Sequence, residues 1–237
     1  MTYRNNPDII ELLDGAEQSN GGLADVWLKL NQGNFLHVNG TEQWYQFVNE
    51  THWRKVDEKL VRRDIAEYLS TLYQEADQKI SVTRKSDSDN EKQLKHYDTL
   101  RNLCKRSKTK IASILSLCAD TYYFDPDDLD TGNVLNLKNV LLDLDTGISR
   151  DHDRADYQTY TLGYSYEPDA TAPRFEQFLN EVLVKPGTKK TDPQLVNLVT
   201  EFMAYALTEE THHQKMLWMS GMGANGKSVL IGIIQKL

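Results

Sequence analysis

The stretch that most narrows the fold is Gly221-Met222-Gly223-Ala224-Asn225-Gly226-Lys227-Ser228, which matches the pattern G-x-x-x-x-G-K-[ST]. A short apolar run at residues 215–219 precedes it and predicts a buried strand. The residues that follow it have the spacing of a helix face, at Val229, Leu230, Ile233, Ile234 and Leu237. A strand, a glycine loop and a helix therefore occur in the order that a phosphate-binding loop requires.

Each fixed position of this motif has a physical reason. Glycine permits positive φ and lets main-chain N–H groups converge on phosphate oxygens. The positive end of the following helix adds to the attraction. We expect Lys227 to reach the β- and γ-phosphates, and the Ser228 hydroxyl to ligate Mg²⁺. ATP and Mg²⁺ are thus the predicted cofactors, and the predicted nucleotide-binding residues are Gly221, Gly223, Ala224, Asn225, Gly226, Lys227 and Ser228.

The position of the loop narrows the class of enzyme. The motif alone fits kinases, GTPases, helicases and other ATPases. Only nine residues follow Ser228, whereas P-loop kinases and GTPases usually carry the loop near the start of their domain. A motor domain preceded by other modules fits better, and a small-molecule kinase fits poorly. The second Mg²⁺ ligand, the water-positioning residue and any arginine finger follow the loop in such folds, so no catalytic set is complete here. We expect no hydrolysis by the isolated chain.

Composition excludes several other classes. The chain has 237 residues, 39% of them hydrophobic and 26% charged, which rules out disorder throughout. No apolar stretch approaches the roughly 18 residues that span a bilayer, and the start lacks a signal peptide, so we expect a cytoplasmic protein with no membrane partner. The net charge of −8 argues against a surface coated in positive charge but leaves room for a local basic patch.

The first half of the chain carries strong local signals. Residues 35–38 and 43–48, joined by Asn39-Gly40, predict a β-hairpin. Asp57 predicts the N-cap of a long helix. The apolar face of this helix is Val61, Ile65, Leu69, Leu72, Ala76 and Ile80. Aromatic residues near the hairpin could stack on bases, but packing is the favoured interpretation for Trp44, Tyr45 and Trp53.

Basic residues are concentrated between positions 92 and 110, with Asp98 the single acid among them. They are Lys92, Lys95, Arg101, Lys105, Arg106, Lys108 and Lys110. They could neutralise DNA phosphates, or they could form an ordinary solvated helix face. The apolar residues that follow predict a helix with its buried side at Ile111, Ile114, Leu115 and Cys118.

The second half combines a small β-element with two short helices. Residues 134–144 predict strands, and the acidic residues around them lack calcium-loop spacing and indicate turns. Residues 168–173 are the best candidate for a domain boundary. An amphipathic helix follows, and Asp192-Pro193 predicts the start of another. The buried face predicted for that second helix is Leu195, Leu198, Val199, Phe202, Met203 and Ala206.

Several stretches together resemble the phage, plasmid and poxvirus primase-helicase family, whose motor belongs to helicase superfamily 3. They are Phe124-Asp125-Pro126, Leu135-Asn136-Leu137-Lys138-Asn139-Val140-Leu141-Leu142-Asp143-Leu144-Asp145-Thr146-Gly147, Pro173-Arg174-Phe175-Glu176-Gln177-Phe178-Leu179 and the glycine loop. The region of Trp44 and Trp53 resembles the segment with which the helicase-associated domain of this family often begins. One departure is Asn139-Val140, where the family often has Asn-Gly.

The resemblance implies an α+β helicase-associated domain at residues 1–168, followed at 169–237 by the start of a P-loop, AAA+-like α/β NTPase domain. It implies an ATP-dependent helicase that acts on single-stranded DNA in replication of a mobile element, with a homo-hexameric ring in the full-length protein. The chain then resembles a piece of such a protein, cut just after the loop. The alternative is a non-enzymatic module that binds DNA or caps a helicase ring, with a vestigial loop.

Overall fold

The computed structural model describes residues 3, 9–85, 90–208, 210–221, 223 and 225–236. Residues 84–90 are polar and rich in turn formers, which predicts an exposed loop, and residues 86–89 of this stretch lie outside the described residues. The chain forms two compact units, the first from Met1–Asp130 and Asp153–Tyr160, the second from Thr131–His152 and Thr161–Leu237. The predicted boundary at 168/169 lies within the second unit, and the two domains proposed from the sequence stay a prediction.

The first unit packs helices against a small mixed sheet. Its elements are α1 (Ile9–Asp14), α2 (Asn20–Leu30), β1 (Phe35–Val38), β2 (Gln43–Val48), β3 (His52–Val56), α3 (Glu58–Lys85), α4 (Glu91–Leu103), α5 (Lys108–Thr121) and β4 (Tyr123–Phe124). The strand order is β3-β2-β1-β4, with β4 parallel to β1 and the other pairs antiparallel. Among the described residues, none of the helices is both long and apolar enough to cross a bilayer.

The structure confirms the predicted hairpin, formed by β1 and β2. Strand β3, which the sequence did not indicate, pairs with β2 and extends it. Val38 pairs with Gln43, so the connection is longer than the Asn39-Gly40 turn alone. The β2–β3 turn has positive φ at both Asn49 and Glu50, 52° and 58°. Such turns usually carry glycine, which explains why Asn-Glu gave no turn signal.

Helix α3 begins and packs as its sequence predicts. The Asp57 carboxylate accepts a hydrogen bond from the Lys59 main-chain N–H at 2.7 Å. All six residues predicted for the apolar face are buried, and Tyr68 and Thr71 lie with them. Periodicity therefore identified this face correctly.

The aromatic residues of the hairpin serve packing. Trp44 is 2% exposed and Trp53 1% exposed. The Trp53 indole donates to the Arg154 carbonyl oxygen at 2.9 Å, and its ring stacks on Tyr157. The packing interpretation is confirmed for both tryptophans, because neither has a free face for a base. Tyr45 is partly exposed.

A half-buried carboxyl group, that of Asp64, links α3 to α2 and to Tyr3. Asp64 accepts hydrogen bonds from the Tyr3 hydroxyl and from the Trp27 indole N–H, the latter at 2.9 Å. The Asn31 amide donates to the same Tyr3 oxygen at 2.8 Å. Burial raises the pKa of Asp64 above its ordinary value. The folded protein therefore holds the proton of the Asp64 carboxyl group more tightly than the unfolded chain does.

We expect the contribution of Asp64 to stability to be largest below its ordinary pKa of 3.8 and to be lost as the pH rises through its raised folded-state pKa. The Asp64→Asn variant keeps an acceptor oxygen but has no titrating group. Its free energy of unfolding should therefore improve relative to wild type between about pH 4 and about pH 7, as measured by urea unfolding. A difference that stays constant over this range would contradict the assignment.

The second unit contains a three-stranded antiparallel sheet and three helices. Its elements are β5 (Val134–Asn136), β6 (Leu141–Asp143), β7 (Ser149–Arg150), α6 (Pro173–Val182), α7 (Pro193–Tyr205) and α8 (Lys227–Ile234). The predicted β-element and helices are thus confirmed. The Asp192 side chain caps α7 by accepting from the main-chain N–H groups of Gln194 and Leu195, at 3.1 and 3.4 Å.

The predicted buried face of α7 is only partly correct. Val199 and Met203 are buried against Leu179 and Leu230, whereas Leu198 is 52% exposed and Leu195 also lies at the surface. The cause is the small size of this cluster. It covers one narrow stripe of the helix, and the remaining apolar positions have no neighbour to bury them.

The predicted strand at residues 215–219 is wrong. This segment has no regular secondary structure, and Met216 and Trp218 are 79% and 80% exposed. A strand needs neighbours for its N–H and C=O groups. In the described part of 161–236, the β-pairing is one isolated bridge, Val184 to Thr191.

Candidate functional site

The glycine loop leads directly into α8, as its motif predicts. Gly221, Gly223 and residues 225–228 are described, whereas Met222 and Ala224 lie outside the described residues. The predicted nucleotide contact of Ala224 therefore has no structural counterpart to report. The remaining six predicted residues adjoin one another around the start of α8.

The Lys227 side chain folds back across the loop. Its ammonium group donates to the Gly221 carbonyl oxygen at 2.9 Å and to Asn225 Oδ1 at 2.7 Å. The side chain is half-buried. The Lys227 ammonium group is thus held between Gly221 and Asn225 by two uncharged acceptors. Its positive charge therefore stays available to an anion. The side chain of Asn225, a position that the motif leaves open, thus holds this lysine in place.

Two glycines of the loop have different surroundings. Gly226 has φ of +76°, and a Cβ there would lie 2.8 Å from Val182 Cγ1 and 3.0 Å from Phe178 Cε2. A Cβ at Gly223 would meet nothing within 4 Å. Gly226 is therefore required both by its backbone conformation and by close packing against α6, whereas Gly223 has space for a side chain.

The first turn of α8 presents free donors at this loop. The first intrahelical bond runs from the Leu230 N–H to the Gly226 carbonyl oxygen, at 3.0 Å. The amides of the first residues, 227–229, precede that bond and have no acceptor inside the helix. Ser228 lies exposed in this turn. Free amides, a helix dipole and an ammonium group at one place form an arrangement that attracts an anion.

Helix α8 is anchored by its apolar side. Leu230 is buried with Leu179, Val199 and Met203 of the other two helices. A cavity of about 360 Å³ borders the loop, with walls that include Val182, Leu198, Met219 and Lys227. The start of α8 is therefore fixed by packing, and the space beside it is largely apolar.

The seven basic residues between positions 92 and 110 fall into two groups. Three have partners. Lys95 pairs with Glu91 at 3.0 Å, and Arg101 pairs with Asp77 at 2.9 Å and with Asp98. The Lys110 ammonium donates to the Leu103 carbonyl oxygen, and burial lowers the pKa of Lys110. These three residues therefore fit the interpretation of an ordinary solvated helix face, with salt bridges at Lys95 and Arg101.

The second group is Lys92, Lys105, Arg106 and Lys108. All four are exposed, and none forms an ion pair within the described part of the chain. Lys105 and Arg106 lie in the connection between α4 and α5, and Lys108 is the first residue of α5. The sequence could not separate the two groups, because the pairing of Arg101 with Asp77 joins residues on different helices.

The acidic turns behave as turn chemistry predicts. Asp125 accepts from the Asp127 N–H at 3.0 Å, and Asp143 accepts from the N–H groups of Asp145 and Thr146 at 3.0 and 2.8 Å. These hydrogen bonds, led by the one from Thr146, lower the pKa of Asp143. Both carboxylates are thus occupied by their own turns.

One group of possible metal ligands occurs among the described residues. Glu210, His212 and His213 bring one ligand atom each to within 4.8 Å of one another, although the histidines are adjacent in sequence. All three side chains are exposed. Because all three side chains are exposed, water competes with them for any ion.

Comparison with known proteins places the fold in a family. The family model described as D5 N terminal like matches residues 24–184, about two thirds of the chain. No curated protein matches the chain with significance. The match includes the hairpin, α3 to α5, the small sheet and α6, and it ends before the glycine loop. The chain belongs to the D5 N-terminal-like family, whose domain is found in the primase-helicase replication proteins of phages and poxviruses.

Proposed function

We propose that the chain is part of an ATP-dependent superfamily 3 DNA helicase that acts in the replication of a phage, plasmid or other mobile element, and that residues 221–228 bind the triphosphate of ATP. The family suggests DNA as the partner. A homo-hexameric ring is the proposed assembly. The observation that carries the proposal is the geometry of Lys227, the first residue of α8, whose ammonium group lies between the Gly221 carbonyl oxygen and Asn225 Oδ1.

The residues fit a bound triphosphate. Lys227 can exchange its two uncharged acceptors for phosphate oxygens, which form stronger charge-assisted hydrogen bonds. In this proposal the amides of 227–229 donate to the same anion, and the Ser228 hydroxyl ligates Mg²⁺. When bound, ATP supplies a hydrolysable phosphoanhydride bond. The chain's own residues bind and orient the phosphates, and Gly226 supplies the positive φ from which α8 starts.

A second candidate function is favoured by one observation. The segment before the loop, residues 215–219, is mostly exposed and forms no strand, so within the described residues no strand leads into the loop as it does in a usual phosphate-binding site. A non-enzymatic module that binds DNA or caps a helicase ring would tolerate this. Binding of DNA without any binding of ATP would favour this second function.

We expect saturable binding of ATP by calorimetric titration, and tighter binding when Mg²⁺ is present. The Ser228→Ala variant should lose about tenfold in affinity with Mg²⁺, because it removes one ligand. It should bind ATP in EDTA as wild type does. Ser149→Ala, an exposed serine of the sheet in the same unit, serves as the matched control. No ATP binding by wild type, or an unchanged affinity of Ser228→Ala in Mg²⁺, would contradict the proposal.

A further inference from the structure

A groove lies between α3 and the connection from α4 to α5. It has a volume of about 420 Å³ and is open to solvent on one side. Its walls are formed by Ser70, Tyr73 and Gln74 of α3, and by Cys104, Lys105 and Arg106 of the connection. One wall therefore offers hydroxyl, phenol and amide groups, and the other offers two cations.

The cations of this connection and of the first residue of α5 are available to a ligand. Lys105, Arg106 and Lys108 are exposed, and no ion pair in the described part of the chain involves them. Helix α5 begins at Lys108, with the Ser107 hydroxyl accepting from the Lys110 N–H at 3.1 Å. The positive end of a 14-residue helix therefore adds to three formal charges at the same place.

Neighbouring contacts hold the two walls in position. Arg101 bridges Asp77 of α3 and Asp98 of α4, and the Lys110 ammonium ties α5 to the Leu103 carbonyl oxygen. Cys104 is fully buried, and burial raises the pKa of its thiol to about 12. The neutral thiol adds no negative charge to the groove. The connection is therefore a fixed basic ridge.

We propose that this groove binds the sugar-phosphate backbone of single-stranded DNA, with Lys105, Arg106 and Lys108 on the phosphates and Tyr73 beside a base. A basic groove lined by an aromatic side chain is the usual combination in proteins that bind single strands, because unpaired bases expose their faces. The choice of ligand rests on the proposed helicase function, but the site is separate from the glycine loop. It also identifies which of the seven basic residues contact DNA.

The test is fluorescence anisotropy with a labelled oligothymidylate, without nucleotide, at several salt concentrations. The variant Lys105→Ala/Arg106→Ala/Lys108→Ala should lose at least about tenfold in affinity, and its salt slope should fall by about 2, since each phosphate contact on a single strand contributes about 0.7. The matched control is Lys29→Ala/Arg54→Ala/Lys55→Ala, which removes the same charges at exposed positions outside the groove. It should lose less than about twofold.

Equal losses in the two variants would show an effect of net charge alone and would overturn the proposal. Tighter binding of a duplex than of the single strand, or no binding by wild type, would also overturn it. Circular dichroism of both variants checks that the helices remain. Because no nucleotide is present, a failure here leaves ATP binding by the Lys227 loop intact, and a failure of ATP binding leaves this result unaffected.

Discussion

Replacement of Lys227 by alanine is expected to reduce ATP affinity by at least about 100-fold, or about 2.7 kcal/mol, while the helices stay intact. The ammonium group is the one cation held between the ends of the described part of the loop. Hydrogen bonds to charged groups contribute about 1.5–3 kcal/mol each, so the loss of one or two of them accounts for this effect. The hydrogen bonds of the ammonium group go to the loop, and α8 is anchored by Leu230 instead, so removal of the Lys227 side chain should leave the helix in place.

The measurement is calorimetric titration with MgATP, accompanied by circular dichroism. Lys215→Ala removes the same charge from an exposed position ahead of the loop and should retain wild-type affinity. Lys227→Arg adds a second test, because a planar guanidinium does not reproduce the compact ammonium between two close acceptors. An unchanged affinity for ATP in the Lys227→Ala variant would show that the loop is not the nucleotide-binding site.

Substitution of Gly226 by alanine is expected to destabilise the second unit by roughly 2–5 kcal/mol, through two independent effects. A non-glycine residue at φ of +76° costs about 1–2 kcal/mol. The added Cβ would also lie 2.8 Å from Val182 Cγ1, and overpacking of this kind costs about 1–3 kcal/mol. The same change at Gly223 should cost less than about 1 kcal/mol, because a Cβ there meets open space.

Native-state hydrogen exchange in α7 and α8 measures this difference, because it reports the opening free energy of each helix separately. The two variants have the same amino-acid composition as each other, because each replaces one glycine of the motif by alanine. Exchange in α3, which belongs to the first unit, serves as an internal control and should not change. Equal destabilisation by the two substitutions would mean that α6 does not pack against the start of α8.

Local signals in the sequence predicted most of the fold. The face of α3 and the caps at Asp57 and Asp192 depend on residues within a few positions of each other, and the structure confirms them. The hairpin is confirmed for the same reason. Packing of Trp44 and Trp53 also followed from their place in a small sheet.

Features that depend on distant partners could not be predicted. The third strand follows a turn without glycine, and the exposed face of α7 reflects the size of a cluster formed by three separate helices. The run at 215–219 is apolar enough for a strand, but no described neighbour pairs with it. Within the basic run, Arg101 pairs with Asp77 of another helix whereas Lys105 and Arg106 form no ion pair among the described residues, and sequence spacing cannot predict this difference.

The most direct test of the central claim is hydrogen exchange at the loop with and without MgATP. If main-chain amides hold the phosphates, the N–H groups of residues 226–229 should exchange more slowly when MgATP is bound. The Lys227→Ala variant should show no such protection under the same conditions. We predict that this protection centres on the loop and the first turn of α8. Unchanged exchange at these amides under saturating MgATP, or protection confined to other segments, would contradict the claim.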